Sequence, residues 1–196
     1  MSEEKQPLLM ILAGPNGAGK TTAAMTLLKE YIHIPQFVNA DEIARGLSPL
    51  DPPSVRVQAG KLMLQRISQL ISERDDFAVE TTASGNVHAR TMQRCRDAGY
   101  YCKLAFVFLQ HPELSVNRVK LRVLKGGHHV PKEDIVRRYH LGLKRFFNQY
   151  KPLAHEWILY DNTYNDMRKI AHQRPDGFDI HEPHIWEFLE EKYGEA

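Results

Sequence analysis

Residues Gly14, Pro15, Asn16, Gly17, Ala18, Gly19, Lys20 and Thr21 match the G-x-x-x-x-G-K-[ST] pattern in full, and Thr22 follows them. The chemistry available to this spacing is phosphate capture. Glycines let successive backbone N–H groups turn inward around a phosphate, and a helix starting behind them adds its partial positive charge. Lys20 has the reach for the β- and γ-phosphates of a nucleoside triphosphate such as ATP, and the Thr21 hydroxyl can take a place on Mg²⁺. The flanks argue against a chance glycine turn. Leu8–Ala13 is an apolar run of strand length, and Ala24, Leu27, Leu28 and Tyr31 fall on one helical face. Strand, loop and helix stand in the order a phosphate loop needs, so Gly14 to Thr22 are the expected nucleotide-binding residues.

Nucleotide binding does not by itself define a reaction, and in open α/β sheets ligands sit beyond the carboxyl ends of the strands. Three polar clusters fall there: Asn39-Ala40-Asp41-Glu42, Glu80-Thr81-Thr82 and Asp161-Asn162-Thr163. Asp41 can accept the proton of an acceptor hydroxyl as it attacks the γ-phosphate; it can also cap a helix beginning at Glu42. Glu80 can hold Mg²⁺ through water or bind substrate hydroxyls, or it can pair with a nearby cation. Thr82 can hydrogen-bond substrate or cap a helix starting near Asn86.

A fourth feature is basic. Arg118, Lys120 and Arg122 precede Gly126-Gly127-His128-His129-Val130-Pro131, and Arg137-Arg138 follow. Two helices joined by a glycine hinge can swing cations onto a transferring phosphoryl group and exclude water. The plain alternative is a pair of solvated helices. His128-His129 has no Cys or acidic partner at ligand spacing, which argues against a metal site.

These residues need a scaffold. Short apolar runs alternate with helical stripes, the pattern of an α/β protein with a parallel sheet. Strands are expected at Leu8–Ala13, Phe37–Ala40, Phe77–Thr81, Tyr101–Leu109 and Trp157–Tyr160. A long helix follows Pro52 with Asp51 as its cap, presenting Val55, Ala59, Leu62, Met63, Ile67, Leu70 and Ile71. Further helices run from Asn86 to Ala98, from Pro112 to the Gly-Gly pair, from Pro131 to Tyr150 and from His184 to Tyr193. Asp176-Gly177 signals a hairpin turn. The expected fold is a P-loop NTPase-type three-layer α/β/α domain over residues 1–196. It has a central, mostly parallel five-stranded sheet, a helical lid at about 118–138 and a C-terminal hairpin and helix at about 164–196.

Composition narrows the function classes. The chain has 196 residues and a net charge of +2, too weak a basic balance for a nucleic-acid footprint. No apolar stretch approaches the ~20 residues that span a bilayer, the N-terminus lacks a signal-peptide pattern, and Cys95 and Cys102 suit burial in a reducing compartment. A cytoplasmic protein without membrane or nucleic-acid partners is expected.

With these residues laid out, the chain resembles the zeta-toxin family of P-loop kinases, in particular its chromosomal, stand-alone members. The resemblance runs from about Leu8 to about Thr163. It rests on Gly14–Thr22, Val38–Pro49, Glu80–Gly85, Arg118–Pro131 with Arg137-Arg138, and Tyr160-Asp161-Asn162. The Asn-Ala-Asp-Glu and Gly-Gly-His-x-Val-Pro segments are its specific parts. It implies an ATP- and Mg²⁺-dependent kinase acting on the 3′-hydroxyl of the amino sugar of a UDP-N-acetyl-hexosamine, with UDP-N-acetylglucosamine as the favoured acceptor. By the resemblance Asp41 is the catalytic base, Glu80 and Thr82 bind substrate, and Arg122 and Arg138 stabilise the phosphates, with Arg118 and Arg137 as alternatives. An antitoxin protein is the partner that the toxin members imply.

Two departures bear on the sugar and on the toxic role. The chain is shorter than the plasmid-borne toxins, and Thr-Thr-Ala-Ser-Gly follows Glu80 where they carry Gly-Thr-Leu-Arg-Thr. Other readings are phosphotransfer to an antibiotic, a free sugar or a nucleic-acid 5′ end, or a nucleotide-dependent regulatory protein with little turnover. Low net charge disfavours the nucleic acid, and a pure switch has no need of Asp41.

Overall fold

The computed structural model describes residues 6–22, 34–127 and 129–195. At its centre lies β1 (Leu8–Ala13), in which Leu9, Ile11, Leu12 and Ala13 are completely buried, as a strand covered on both faces must be. Around it stand β2 (Gln36–Val38), β3 (Phe77–Thr81), β4 (Tyr101–Phe108) and β5 (Glu156–Asp161). These five run parallel in the order β2-β3-β1-β4-β5. The three-layer α/β/α arrangement of a P-loop NTPase is therefore present.

The strand number differs from the expectation. The hairpin of β6 (Arg168–Arg174) and β7 (Gly177–Ile180) pairs antiparallel to β5, giving one sheet of seven strands instead of five. An open β5 edge would expose a row of unpaired N–H and C=O groups, and the hairpin covers it. Aromatic packing holds it there: Trp157 of β5 stacks on Trp186 at 5.5 Å, and Phe178 of β7 meets both rings.

The helices are α1 (Ala40–Leu47), α2 (Arg56–Glu73), α3 (Val87–Asp97), α4 (Pro112–Leu124), α5 (Lys132–Arg145) and α6 (Pro183–Tyr193). None among the described residues is long and apolar enough to cross a membrane. The helix expected behind the phosphate loop is described only in its opening turn, Lys20–Thr22; Ala24, Leu27, Leu28 and Tyr31 lie outside the described residues, as does His128. Asp51 does not cap α2. The chain first makes a 3₁₀ turn over Pro52–Val55 in which the Asp51 side chain bonds no amide. Pro52 and Pro53 have no N–H to offer, and the Ser54 amide goes to the Asp51 carbonyl instead. The buried stripe of α2 is Ala59, Met63, Ile67 and Leu70, and Leu62 stands outside it, 37% exposed.

Beyond α5 the helix widens into a π turn, Phe146–Tyr150, before Lys151–Leu153. Pro152 explains the widening, since its ring would collide with the carbonyl four residues back in a regular helix. Tyr139, Leu143, Phe146, Phe147 and Tyr150 join the main core. Both cysteines are free and buried, and burial pushes each thiol up to about 12, so they act as small apolar side chains.

Candidate active site

The carboxyl ends of β1, β2 and β3, together with α4 and α5, enclose a cavity of about 480 Å³. The phosphate loop forms its floor. Lys20 is buried there, its Nζ donating to the Pro15 carbonyl at 3.0 Å and lying 3.8 Å from Glu80 Oε1. Burial pushes the Lys20 ammonium below its ordinary range, Glu80 and Asp41 oppose that shift, and Arg122 adds to it. The loop is tied from behind. Asn162, just past β5, donates from Nδ2 to the Ala18 carbonyl at 2.8 Å. Arg118 donates to the Asn162 and Thr163 carbonyls at 2.9 Å each, and to the Gly17 carbonyl at 3.4 Å. Of the third polar cluster, Asn162 therefore serves the loop. Asp161 is buried in a network with Gln110, Thr163 and Arg168.

Glu80 is the hub of the acidic wall. Its Oε2 accepts from Thr21 Oγ1 at 3.0 Å and from Asn39 Nδ2 at 3.1 Å. A hydroxyl and a carboxylate so close are hard oxygen donors of the kind Mg²⁺ takes. Among the described residues no cluster of three or more His, Cys, Asp or Glu could hold a metal alone. That combination fits an ion bound by one or two protein oxygens plus substrate phosphates.

Asp41 does not cap α1. Asn39 does: its Oδ1 accepts from the Asp41 and Glu42 amides at 2.8 and 3.4 Å. The sequence offers two capping side chains two residues apart, and Asn39 is the one with the extended backbone a cap requires. The Asp41 carboxylate is thereby released to line the cavity, engaged in no hydrogen bond or ion pair among the described residues. Thr82 does not cap α3 either. Asn86 occupies that position without a side-chain bond, and Thr82 Oγ1 sits 2.8 Å from Ser84 Oγ. Helix α5 presses on this segment, because a Cβ on Gly142 would lie 2.7 Å from the Thr82 carbonyl oxygen.

The glycines of the expected hinge end α4 in defined bonds. Gly126 has φ +84°, its amide donates to the Val123 carbonyl, and the Gly127 amide donates to that of Arg122, both at 2.9 Å. This is the Schellman ending of α4, and it fixes the exit of the chain. Val116, Val119, Val130 and Ile135 then form a small core between α4 and α5, separate from the main one. Arg122 and Arg138 reach the cavity, as does Arg118. Arg137 turns away and pairs with Asp134 at 2.8 Å.

Three contributors escaped the sequence reading. His88 lines the cavity, although nothing in its spacing marks it. Gly142 carried the signal of a glycine inside a helical stripe. Asn39 belongs to the first polar cluster, and its capping role follows from the extended backbone at that position.

The comparisons with known proteins agree with this architecture. An uncharacterized protein of Haemophilus influenzae is 28% identical over 126 residues, covering 64% of this chain and 88% of that one. A structure from the PezAT chromosomal toxin–antitoxin system of Streptococcus pneumoniae shares the fold at TM-score 0.65 and 20% identity, covering 98% of this chain and 81% of that one. The structure of AvrRxo1-ORF1:-ORF2 with ATP matches at TM-score 0.74 and 17% identity, over 96% of this chain. The chain spans 64% of that protein's length. A family model described as an AAA domain, AAA_33, matches residues 9–140, well over half of the chain. The protein belongs to this AAA-domain family.

Proposed function

We propose that the protein is an ATP- and Mg²⁺-dependent kinase that phosphorylates a hydroxyl of a small molecule, UDP-N-acetylglucosamine by its resemblance to the zeta toxins. The observation that carries this reading is a carboxylate and a cationic set facing one cavity. Asp41, freed from capping by Asn39, stands across from Lys20, Arg122 and Arg138. Transfer from ATP to an alcohol needs a base for the alcohol proton and fixed positive charge for the phosphoryl oxygens. Asp41 accepts the proton; Lys20, Arg122 and Arg138 stabilise the charge; Glu80 and Thr82 bind acceptor. Bound beside Thr21 and Glu80, Mg²⁺ would neutralise charge on the phosphates. Residues 118–138 act as the lid of a single kinase domain.

The fold shared with a toxin–antitoxin system supports an antitoxin protein as partner. Free, buried thiols accord with a reducing cytoplasm. The test is incubation with Mg-ATP and UDP-N-acetylglucosamine, alone and within a metabolite extract, read by mass. One species gaining a phosphate is the expected result. If UDP-N-acetylglucosamine stays unmodified while another metabolite gains the mass, the acceptor assignment falls; if nothing gains it, the kinase assignment falls.

A further inference from the structure

Resting on that kinase reading, we infer that His88 recognises the acceptor, donating a hydrogen bond from Nε2 to an uncharged oxygen, a hydroxyl or a carbonyl, beside the phosphorylated group. His88 is the second residue of α3, and it lines the cavity together with Glu80, Thr81 and Thr82. Its Nδ1 is enclosed by protein and has no hydrogen-bond partner among the described residues. A side chain placed there only to fill space would not leave a buried nitrogen unpaired, since interiors pair nearly all such atoms. The misfit in the interior points to a use on the cavity side.

The protonation state follows from the burial. Desolvation holds the imidazole down at about 4, so at neutral pH the ring carries one proton and no charge. An enclosed N–H without an acceptor is rarer and worse than an enclosed lone pair, so the proton is assigned to Nε2. His88 thus offers one neutral donor. Thr81 and Thr82, on the same cavity wall, are uncharged as well: Thr81 Oγ1 accepts from the Ala83 amide and keeps its own proton to donate, and Thr82 pairs with Ser84. Oxyanions are held by Arg, Lys and backbone amides, which this protein collects at the phosphate loop and the lid. A neutral N–H beside threonine hydroxyls suits sugar hydroxyls or an amide carbonyl instead.

Three variants test this on the acceptor that the parent protein phosphorylates. His88→Phe keeps the ring and removes both nitrogens. His88→Gln places an amide N–H near Nε2, and His88→Asn places one near Nδ1. For His88→Phe the acceptor KM should rise about tenfold while the KM for ATP stays within twofold, the loss expected for one hydrogen bond. His88→Gln should recover most of the loss and His88→Asn little. Because the phenyl ring removes an unpaired buried atom, the melting temperature of His88→Phe should match or exceed the parent's, which a packing role alone does not predict. A parent-like acceptor KM in the Phe variant, or rescue by Asn in preference to Gln, overturns the inference and leaves the kinase reading intact. Should the Phe variant fail to fold, the Gln and Asn pair still decides. A parent that phosphorylates nothing in the extract removes the kinase reading and this inference with it.

Discussion

The phosphate-loop half and the lid half of the cavity are built by different means. On the loop side, side chains are bonded to backbone at short range: Asn162 to Ala18, Arg118 to Gly17 and two strand-end carbonyls, Asn39 to the start of α1. Lys20 is 7% exposed and pinned to its own loop. On the lid side, α4, α5 and the segment between them supply four buried aliphatic residues that form a core of their own. Arg122 reaches the cavity from an exposed position on α4. Preorganised dipoles and charges stabilise a transition state without reorganisation, and closing elements deliver charge after substrate binds. Wired residues should thus govern whether chemistry occurs, and lid residues how fast.

The largest expected effect tests the wired half. Lys20→Ala should abolish transfer, by on the order of 10³-fold or more, because a fixed cation over the β- and γ-phosphates is lost. Near-normal turnover at saturating ATP would show that the nucleotide site lies elsewhere. Asp41→Asn should lower kcat by about 10²–10⁴-fold with ATP binding nearly unchanged, as for a lost general base. Since Asn39 is the cap, thermal stability should hold to within about 0.5 kcal/mol. A large stability loss with intact kcat would return Asp41 to a structural role. In the lid, Arg122→Ala and Arg138→Ala should each cost on the order of 10²-fold in kcat with acceptor KM little moved, while Arg137→Ala, paired outward to Asp134, should cost almost nothing. Equal effects from Arg137 and Arg138 would erase the distinction between cavity-facing and solvent-facing cations.

Legibility in the sequence also divides along these halves. The phosphate loop was legible because one contiguous segment carries its chemistry, and the strands because each is an unbroken apolar run. Capping was harder. Asn39 and Asp41 are both good caps, and only the backbone angle at residue 39 separates them. The glycine pair reads as a hinge in the sequence, since Gly-Gly permits mobility as readily as a Schellman ending; the two bonds back to Arg122 and Val123 add the ending, which no sequence pattern states. In the sequence the two extra strands read as a separate hairpin, because no local pattern states that β5 would otherwise be an open edge. His88 was invisible for a plainer reason. Its role depends on which way the first turn of α3 faces, and Asn86 gives no side-chain cap from which to infer that.

A smaller effect concerns the contact between the halves. Gly142→Ala would push a methyl group against the Thr82 carbonyl, 2.7 Å from where its Cβ must sit. Overpacking of about 1–3 kcal/mol is offset by the ~1 kcal/mol that Ala gains over Gly in a helix. Global stability should therefore fall by up to about 2 kcal/mol, and the acceptor KM should rise several-fold as the Thr82 segment shifts. An unchanged acceptor KM would mean that α5 merely rests on the segment and does not position it.

The smallest effect is visible only in acid, and it concerns three histidines that burial keeps neutral. Burial holds His88 at about 4 against an ordinary 6.5, and it lowers His140 in α5 and His155 as well. His155 has a second reason to stay neutral, because its Nδ1 accepts the Cys102 amide at 3.0 Å. For each group the unfolded chain binds a proton at a pH where the folded one does not. Stability is therefore full above the unfolded value and declines as pH falls below 6.5. For His88 the decline continues to about 4, where it totals up to about 3 kcal/mol at 1.36 kcal/mol per unit. Melting temperatures taken from pH 7.5 down to 4.5 should fall less steeply in His88→Phe than in the parent. Part of the slope that remains should come from His155 and His140. Parallel curves for the two proteins would mean that the His88 ring takes up its proton without cost, as a solvated side chain does, and the neutral donor assigned to the cavity wall would lose its basis.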